Sequence, residues 1–491
     1  MSNFDSLMPE SPSPSGRKIF KAGTLTYTTA GLGALFFWLL WGDFCFFMLG
    51  VVWKNILPLQ IKALSVPDWA IGLITVSIPS TLNTLLNPVI STTSDRFRSQ
   101  WGRRRPFMMV ATPFIAVFMM LLGLSPEIGR WFYEAGLGQW SGWSAGAITA
   151  GVIALLVFLF YTADLFVGTV FWYLFNDVVP REVMARFLAL FRLVGSGAGV
   201  LFNYFIFPHA MERMSQIFFG AGLLYLVVFT LMCIFVKEGE YPPPEPLASR
   251  PHPWAWIKAY VRECTSKKIY VLLYVHVVLW TLANICGVFS VFANLSLGLT
   301  MQQIGTLAAV TGAIQMFLTY PAGMLADRFH PLRLMLWMEL AIVVLTPLGF
   351  VFLITDFKPE VNYWVLFVFA LLNIPLNLLY AATLMPLYMR LFPREKFGQF
   401  CSFNAMSTAL AAAVGGVLGG FFIGQMRNFW PESVYGQNYY YRLIPAWDLF
   451  FSVLALLLLV LLYREWLKTN ALDTESSKSP ADCSKNQLSQ K

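Results

Sequence analysis

The sequence predicts an all-α integral membrane protein of twelve transmembrane helices, arranged as two six-helix bundles related by a parallel repeat. Three observations carry that expectation. The 491 residues are 57% hydrophobic and only 12% charged, with a mean hydropathy of +0.62, whereas soluble domains carry about 25% charged residues. The apolar residues gather in twelve runs, each near the roughly 20 residues that a hydrocarbon core needs. Loops of the first half are echoed in the second. A water-soluble enzyme, a disordered scaffold and a nucleic-acid binder are excluded by the composition alone.

Residues 1–29 hold the Ser/Pro-rich stretch from Pro9 to Gly16, then Arg17, Lys18 and Lys21, and read as a disordered cytoplasmic tail with no cleavable signal peptide. Apolar runs near 30–53, 69–92, 106–126, 146–175, 187–207 and 215–236 make a first bundle over 30–236. Residues 237–268 read as a cytoplasmic linker. Its Tyr241-Pro242-Pro243-Pro244-Glu245-Pro246 is an extended spacer. Its Trp254–Lys268 segment, with Trp256, Lys258, Arg262 and Lys267, suits a helix lying in the membrane interface. Runs near 269–297, 302–325, 333–354, 362–390, 400–426 and 447–466 make a second bundle over 269–467. Residues 468–491 are polar and read as a disordered tail. The six cysteines (Cys45, Cys233, Cys264, Cys286, Cys401, Cys483) stand singly, so they are expected to be buried small hydrophobes. No metal or cofactor is expected.

Charge sets the orientation. With the N-terminus inside, the inner segments hold 26 Lys and Arg and the outer loops seven, which satisfies the positive-inside rule. The net charge of +8 therefore marks topology rather than an anionic partner. The expected setting is the plasma membrane, with both termini cytoplasmic. Trp131, Trp140, Trp143, Trp430 and Tyr439–Tyr441 suit an outer aromatic belt.

Two echoes relate the halves. Ser91-Thr92-Thr93-Ser94-Asp95-Arg96-Phe97 leaves span two, and Gly323-Met324-Leu325-Ala326-Asp327-Arg328-Phe329 leaves span eight. Pro180-Arg181-Glu182 with Phe187 follows span four, and Pro393-Arg394-Glu395 with Phe400 follows span ten. Each maps span n onto span n + 6 in the same orientation, the mark of a parallel repeat with a substrate site between the bundles near the midplane. These motifs resemble the major facilitator superfamily. The longer string from Ser94 through Arg98, Trp101, Gly102 and Arg103-Arg104-Arg105 to Pro106-Phe107 resembles the loop of the glycoside–pentoside–hexuronide cation symporters, especially the related sucrose-type proton symporters. The resemblance covers roughly residues 30–467 in topology, but only the loops in motif. It implies a monomeric secondary carrier of a sugar or glycoside. Sodium-coupled melibiose-type members carry two carboxylates in span two where this chain has Asn83 and Asn87. Neutral amides lend no negative charge, so H⁺ is expected rather than Na⁺.

Ionisable groups inside spans each cost about 2.5–3.5 kcal/mol on insertion scales, so each needs a reason. Asp43 in span one, Asp164 in span four and Arg192 in span five are the candidates for cation coupling. The expectation is a proton-accepting Asp164 whose affinity responds to Arg192. The plainer alternative is a permanent ion pair joining spans four and five, and for Asp43 a helix-kink role beside Gly42. His276 reads as a hydrogen-bonded core residue rather than a relay, Glu339 as structural with reach to water or Arg333, and Asp448 as a charge at the start of span twelve.

A sugar needs hydroxyl partners and an aromatic face. The candidate lining is Asn83, Asn87, Trp172, Trp280, Asn284, Gln315, Asn373 and Asn377, and the resemblance adds Arg186 as a position near a sugar-contacting arginine. Amides in spans also serve as interhelical glue. Asp95, Arg96, Arg103, Arg104 and Arg105 with Asp327, Arg328 and Arg333, and Glu182 with Glu395, are candidates for gating pairs that form across the bundles when the inner side closes. The Gly415-Gly416 and Gly419-Gly420 pairs suit close helix packing. A uniporter, a carrier of a nucleoside or amphiphilic lipid, and a transporter-like sensor are the competing readings. No HExxH, GxSxG or P-loop motif supports an enzyme.

Overall fold

The computed structural model describes residues 19–241 and 253–476. Twelve of its helices are long and apolar enough to cross a membrane: α1 (Thr29–Ala63), α2 (Asp68–Arg96), α3 (Arg105–Gly123), α4 (Ala145–Val178), α5 (Met184–His209), α6 (Met214–Phe235), α7 (Lys268–Ser296), α8 (Met301–Ala326), α9 (Pro331–Ile354), α10 (Pro359–Leu391), α11 (Arg394–Phe429) and α12 (Tyr439–Lys468). The expected fold class is the observed one. The Pro9–Gly16 stretch, the prolines from Pro242 to Pro246, and Cys483 with the rest of residues 477–491 lie outside the described residues.

Local chemistry explains several helix ends. Ser144 caps α4 by accepting from the Ala147 N–H at 3.2 Å. At α8 a reciprocal capping box joins Thr300 and Gln303, satisfying two otherwise orphaned N–H groups. Rows of apolar side chains face outward, among them Val110, Phe114 and Val117 on α3 and Val361, Trp364 and Val368 on α10. In water such rows would be liabilities, and in a bilayer they are the lipid face.

The chain groups into two compact units, Met1–Leu57 with Leu85–Pro246, and Pro58–Thr84 with Leu247–Lys491. The end of α1 and the first half of α2 thus group with the second half of the chain. In the first unit, aromatic rings knit α4, α5 and α6, as where Phe175 meets Phe187 and Phe191 edge-on at 5.1 and 4.9 Å. In the second, Tyr270, Tyr274, Phe392 and Phe400 centre a core that includes Leu332, Met335 and Leu459.

Three boundaries differ most from expectation. Helix α1 continues ten residues past 53, because Ile56, Leu57, Leu59 and Ile61 are buried while Lys54 points outward, an amphipathic extension that Lys54 and Pro58 disguise as a loop. Residues 20–27, expected to be tail, form a hairpin of β1 (Phe20–Ala22) and β2 (Leu25–Tyr27) that turns at Gly23 with φ +55°. Thr24 pins it by accepting from the Glu240 N–H at 2.9 Å. The final helix runs to Ser476, so the tail does not begin at 468.

The linker helix spans Pro253–Cys264 and docks on the start of α11. Tyr260 donates to the Gln399 carbonyl at 3.1 Å, and Glu263 accepts from Lys396 and from Gln399.

Candidate functional site

In the first unit, Asp43 is fully buried, and neither carboxylate oxygen has a hydrogen-bond partner among the described residues. A methyl at Gly195 would lie 3.4 Å from its Oδ2 and 3.0 Å from Phe47, so this glycine lets α5 close over the carboxylate. One turn earlier on α5, Arg192 is exposed, sits 6.0 Å from the Trp172 ring, and is the basic charge within electrostatic reach of Asp43. The expected partnership of Arg192 with Asp164 is not what the helices bring together. Trp172 lies eight residues along α4 from Asp164, about 12 Å at the helical rise, and the base that Asp164 feels is Lys54 of α1. The two carboxylates therefore belong to two different neighbourhoods, one near Arg192 and one near Lys54 and Tyr225.

Asn87 bridges helices, accepting from Thr169 Oγ1 of α4 at 3.0 Å. Trp172 is half exposed, with its edge toward Phe175 and Phe191. Arg186 is exposed near the start of α5.

The basic end of this unit holds the motif expected to gate. Arg104 is buried and pairs with Asp95, donates to Ser94 Oγ at 2.6 Å, and reaches Asp177 at 3.3 Å. Arg103 grips Asp177 in two-pronged fashion, at 3.1 and 2.6 Å. Glu238 accepts from the backbone N–H groups of Arg103, Arg104 and Arg105 at 3.0, 2.9 and 2.6 Å. It thereby caps α3 with a negative charge at the positive end of the helix dipole. Expected to bind across bundles, these arginines take their partners inside their own unit. Asp177 and Glu238 are the partners of this arginine cluster, and neither was among the expected residues. Asp177 stands in the last turn of the apolar helix α4 and Glu238 in the polar stretch after α6, and no period in the sequence marks either. Glu182 and Arg96 are exposed.

In the second unit, Trp280 stacks on Tyr380, with ring centroids 4.3 Å apart. Asn284, Asn373 and Asn377 donate through Nδ2 to the carbonyls of Trp280, Phe369 and Asn373 at 2.8, 2.9 and 2.9 Å. Each amide donor is thus tied to its own helix, which is not interhelical glue, and each Oδ1 is left as an acceptor. Gln315 is exposed and Asn83 half-buried. Asp327 and Arg390 line a cavity of about 60 Å³ beside Pro331 and Thr383, while Arg328, Arg333 and Glu395 are exposed. His276 is buried and hydrogen-bonded as expected. Glu339 does not reach water or Arg333; it is fully buried 3.6 Å from His276 Nε2. Asp448 lies beyond the first turn of the helix that begins at Ile444, past the free N–H groups that it was expected to meet.

At the other end of this unit, Asp68 at the start of α2 accepts from Tyr441, from Tyr440 at 3.1 Å and from Lys62 at 3.2 Å. Alongside, the α11 glycines work in two rows. Gly416 and Gly420 face the backbone of Gly72 and Asp68, and Gly415 and Gly419 face Leu282 and Ile285 of α7. The close packing expected of the glycine pairs is present within this unit.

Glu263, outside the spans, is held below the ordinary carboxylate range by the hydrogen bond from Lys396 first and that from Gln399 second.

Comparison with known proteins places this geometry in context. The model of the Major Facilitator Superfamily matches residues 173–416 and 271–485. The chain is 28% identical over 162 residues to the membrane-associated transporter protein of Mus musculus, covering 31% of this chain and 29% of that one. It is 27% identical over 172 residues to the general alpha-glucoside permease of Schizosaccharomyces pombe, covering 33% and 30%. The matched stretches thus span under a third of these relatives. Among solved structures, a bacterial homologue of the human lysosomal transporter Spinster superposes with a TM-score of 0.62 at 13% identity, covering 89% of this chain and 98% of that one. A mutant of the nucleoside transporter NupG gives 0.64 at 10% identity, covering 87% and 100%. At such identities these likenesses show the fold alone. With twelve helices of this architecture and a family model matched over more than half its length, the chain is a membrane transporter belonging to the major facilitator superfamily.

Proposed function

We propose that the chain is a proton-coupled symporter of a sugar or glycoside, working by alternating access as a monomer in the plasma membrane with both termini cytoplasmic. The observation that carries the reading is Asp43, a fully buried carboxylate in α1 with no hydrogen-bond partner for either oxygen. An ionisable group kept there is a functional residue by default, and a proton is the ligand that removes the cost of its charge. Arg192 and the nearby Trp172 give it a partner whose distance can change with state. Asp164, near Lys54, is the second candidate. The free Oδ1 acceptors of Asn284, Asn373 and Asn377 and the rings of Trp172 and Trp280 suit sugar hydroxyls and a sugar's C–H face. The local likeness to an alpha-glucoside permease and the Ser94–Phe107 loop support the same substrate class. Asn83 and Asn87, in place of carboxylates, favour H⁺ over Na⁺. The inner-end charges, from Asp95 to Arg105 and Asp327 to Arg328, bias which side is open.

The test is the external pH of weakly buffered, energy-starved cells expressing the protein, as sucrose, maltose, melibiose and monosaccharides are added without sodium. Alkalinisation with one sugar, lost in Asp43→Asn while exchange of labelled sugar persists, is the expected result. Labelled uptake with no pH change would replace symport by facilitated diffusion. No response to any sugar would remove the sugar class altogether.

A further inference from the structure

The second unit contains an ionisable cluster that the reading above does not use. His276 of α7 and Glu339 of α9 are both completely buried, with Nε2 3.6 Å from Oε2. His276 Nδ1 faces the Ala455 carbonyl of α12 at 3.0 Å. A carbonyl only accepts, so Nδ1 carries the hydrogen, and in the neutral ring Nε2 is then an acceptor. Its partner is the Tyr380 hydroxyl of α10 at 3.2 Å. Neither Glu339 oxygen has a hydrogen-bond partner among the described residues. Beyond Tyr380 the chain of contacts continues through uncharged polar groups: Tyr388 acts on Tyr380 from α10, Asn404 of α11 bonds the Tyr388 hydroxyl at 3.2 Å, and Cys401 of α11 lies near Tyr388. Among the described residues no Lys or Arg pairs with Glu339. An ionised Glu339 beside a neutral His276 would be a bare negative charge in an apolar bundle, a strongly disfavoured state.

We propose that His276 and Glu339 form a second, exchangeable proton site, in the half of the chain opposite Asp43, read out through Tyr380 to Trp280. The pair holds one proton more than neutral histidine plus carboxylate. On Glu339 that proton makes both partners neutral. Moved from Glu339 Oε2 to His276 Nε2, it makes an ion pair and turns Nε2 from acceptor into donor. The Tyr380 hydroxyl then loses its acceptor and must seek another. The Trp280 ring stacked on Tyr380 shifts with it, and Trp280 is a candidate face for the substrate. Proton position and the shape of the lining are thus one two-state element. The use made of this proton rests on the reading of the chain as a proton-coupled carrier, but the site itself does not, and it is tested without substrate.

The experiment is an infrared pH titration of the full-length protein in phosphatidylcholine–phosphatidylglycerol vesicles. The expected result is a buried carboxylic C=O band that vanishes in Glu339→Gln and titrates in the wild type. Its midpoint moves by about one pH unit or more in His276→Gln and in Tyr380→Phe, the scale on which neighbours ordinarily shift a side chain. Ring-labelled histidine reports the same proton from the other partner, so the proposal stays testable if Glu339→Gln does not fold. A Glu339 band absent at every pH would mean a static ion pair. One that never titrates would mean a sealed acid, and one indifferent to His276 would mean no shared proton. Any of the three overturns the proposal. Loss of sugar-driven alkalinisation with the titration intact would instead count against the symport reading alone.

Discussion

A methyl group on Gly72 would lie 1.8 Å from the carbonyl oxygen of Gly416, so α2 and α11 meet there backbone to backbone. In a membrane no hydrophobic force pushes helices together, and association rests on close van der Waals packing between small residues. Gly72→Ala and Gly416→Ala must therefore force the helices apart. The expected cost is about 1–3 kcal/mol, the usual range for overpacking, seen as a lower thermal unfolding midpoint of the purified protein. Gly197→Ala and Gly220→Ala, where an added methyl meets nothing within 4 Å, are the controls. They should be neutral or stabilising by up to about 1 kcal/mol, since alanine is the better helix former. Equal midpoints in all four variants would mean that the contact holds nothing.

The start of α2 is also tied by charge, to the end of α1 and the start of α12. Asp68 accepts from Lys62, Tyr440 and Tyr441, and removing one partner leaves the rest of a buried polar cluster unsatisfied. Asp68→Leu or Lys62→Met alone should each cost about 3 kcal/mol. The double variant should cost far less than the sum, because neither charge is then left alone. A double-mutant cycle of chemical unfolding measures this, and strictly additive losses would show that the two side chains do not act as a unit.

What the sequence made legible follows from what a bilayer demands. Helix α7, expected over 269–297, is Lys268–Ser296, and α8, expected over 302–325, is Met301–Ala326, because a span must be a long apolar run and such runs can be counted. Helix α1 escaped because Lys54, Pro58 and Lys62 look like a loop, although the residues between them are buried. Pairing between helices is written in no such run. Hydropathy alone does not bring His276 to Glu339, Arg103 to Asp177, or Glu238 to the start of α3; each depends on which helix faces which. Both Asp164 and Arg192 stand inside spans and could meet on sequence grounds, but the helix faces send Arg192 to the neighbourhood of Asp43 instead.

The linker helix offers a test of pH dependence with a definite sign. Folded Glu263 titrates below the ordinary value because Lys396 and Gln399 bond its charged form. A carboxylate of this kind lends stability above its unfolded value of about 4.3, and the contribution is lost as pH falls through the lower folded value. Docking of Pro253–Cys264 on the start of α11 should thus be constant through neutral pH and loosen only in acid, below about pH 4. The pair is exposed, so the effect is small and screened by salt. Hydrogen exchange of the helix reports it better than global unfolding. In Glu263→Gln exchange should be faster at neutral pH and the acid transition should disappear; docking that varied between mildly acidic and mildly basic buffer would assign it to another group.

Four of the candidate asparagines divide into two classes by what their amides bond. Asn284, Asn373 and Asn377 donate to carbonyls of their own helices, so each can be replaced without unlinking two helices. Asn87 accepts from Thr169 of another helix, so its loss unlinks α2 from α4. If the first three present their Oδ1 atoms to substrate, Asn377→Leu should leave the unfolding midpoint unchanged and raise KM for the transported sugar about tenfold. That factor corresponds to one lost hydrogen bond of about 1–1.5 kcal/mol. Asn87→Leu should lower the midpoint as well, because the Thr169 hydroxyl loses its acceptor. The reverse pattern, stability lost in Asn377→Leu with KM intact, would make Asn377 a packing residue and remove it from the lining.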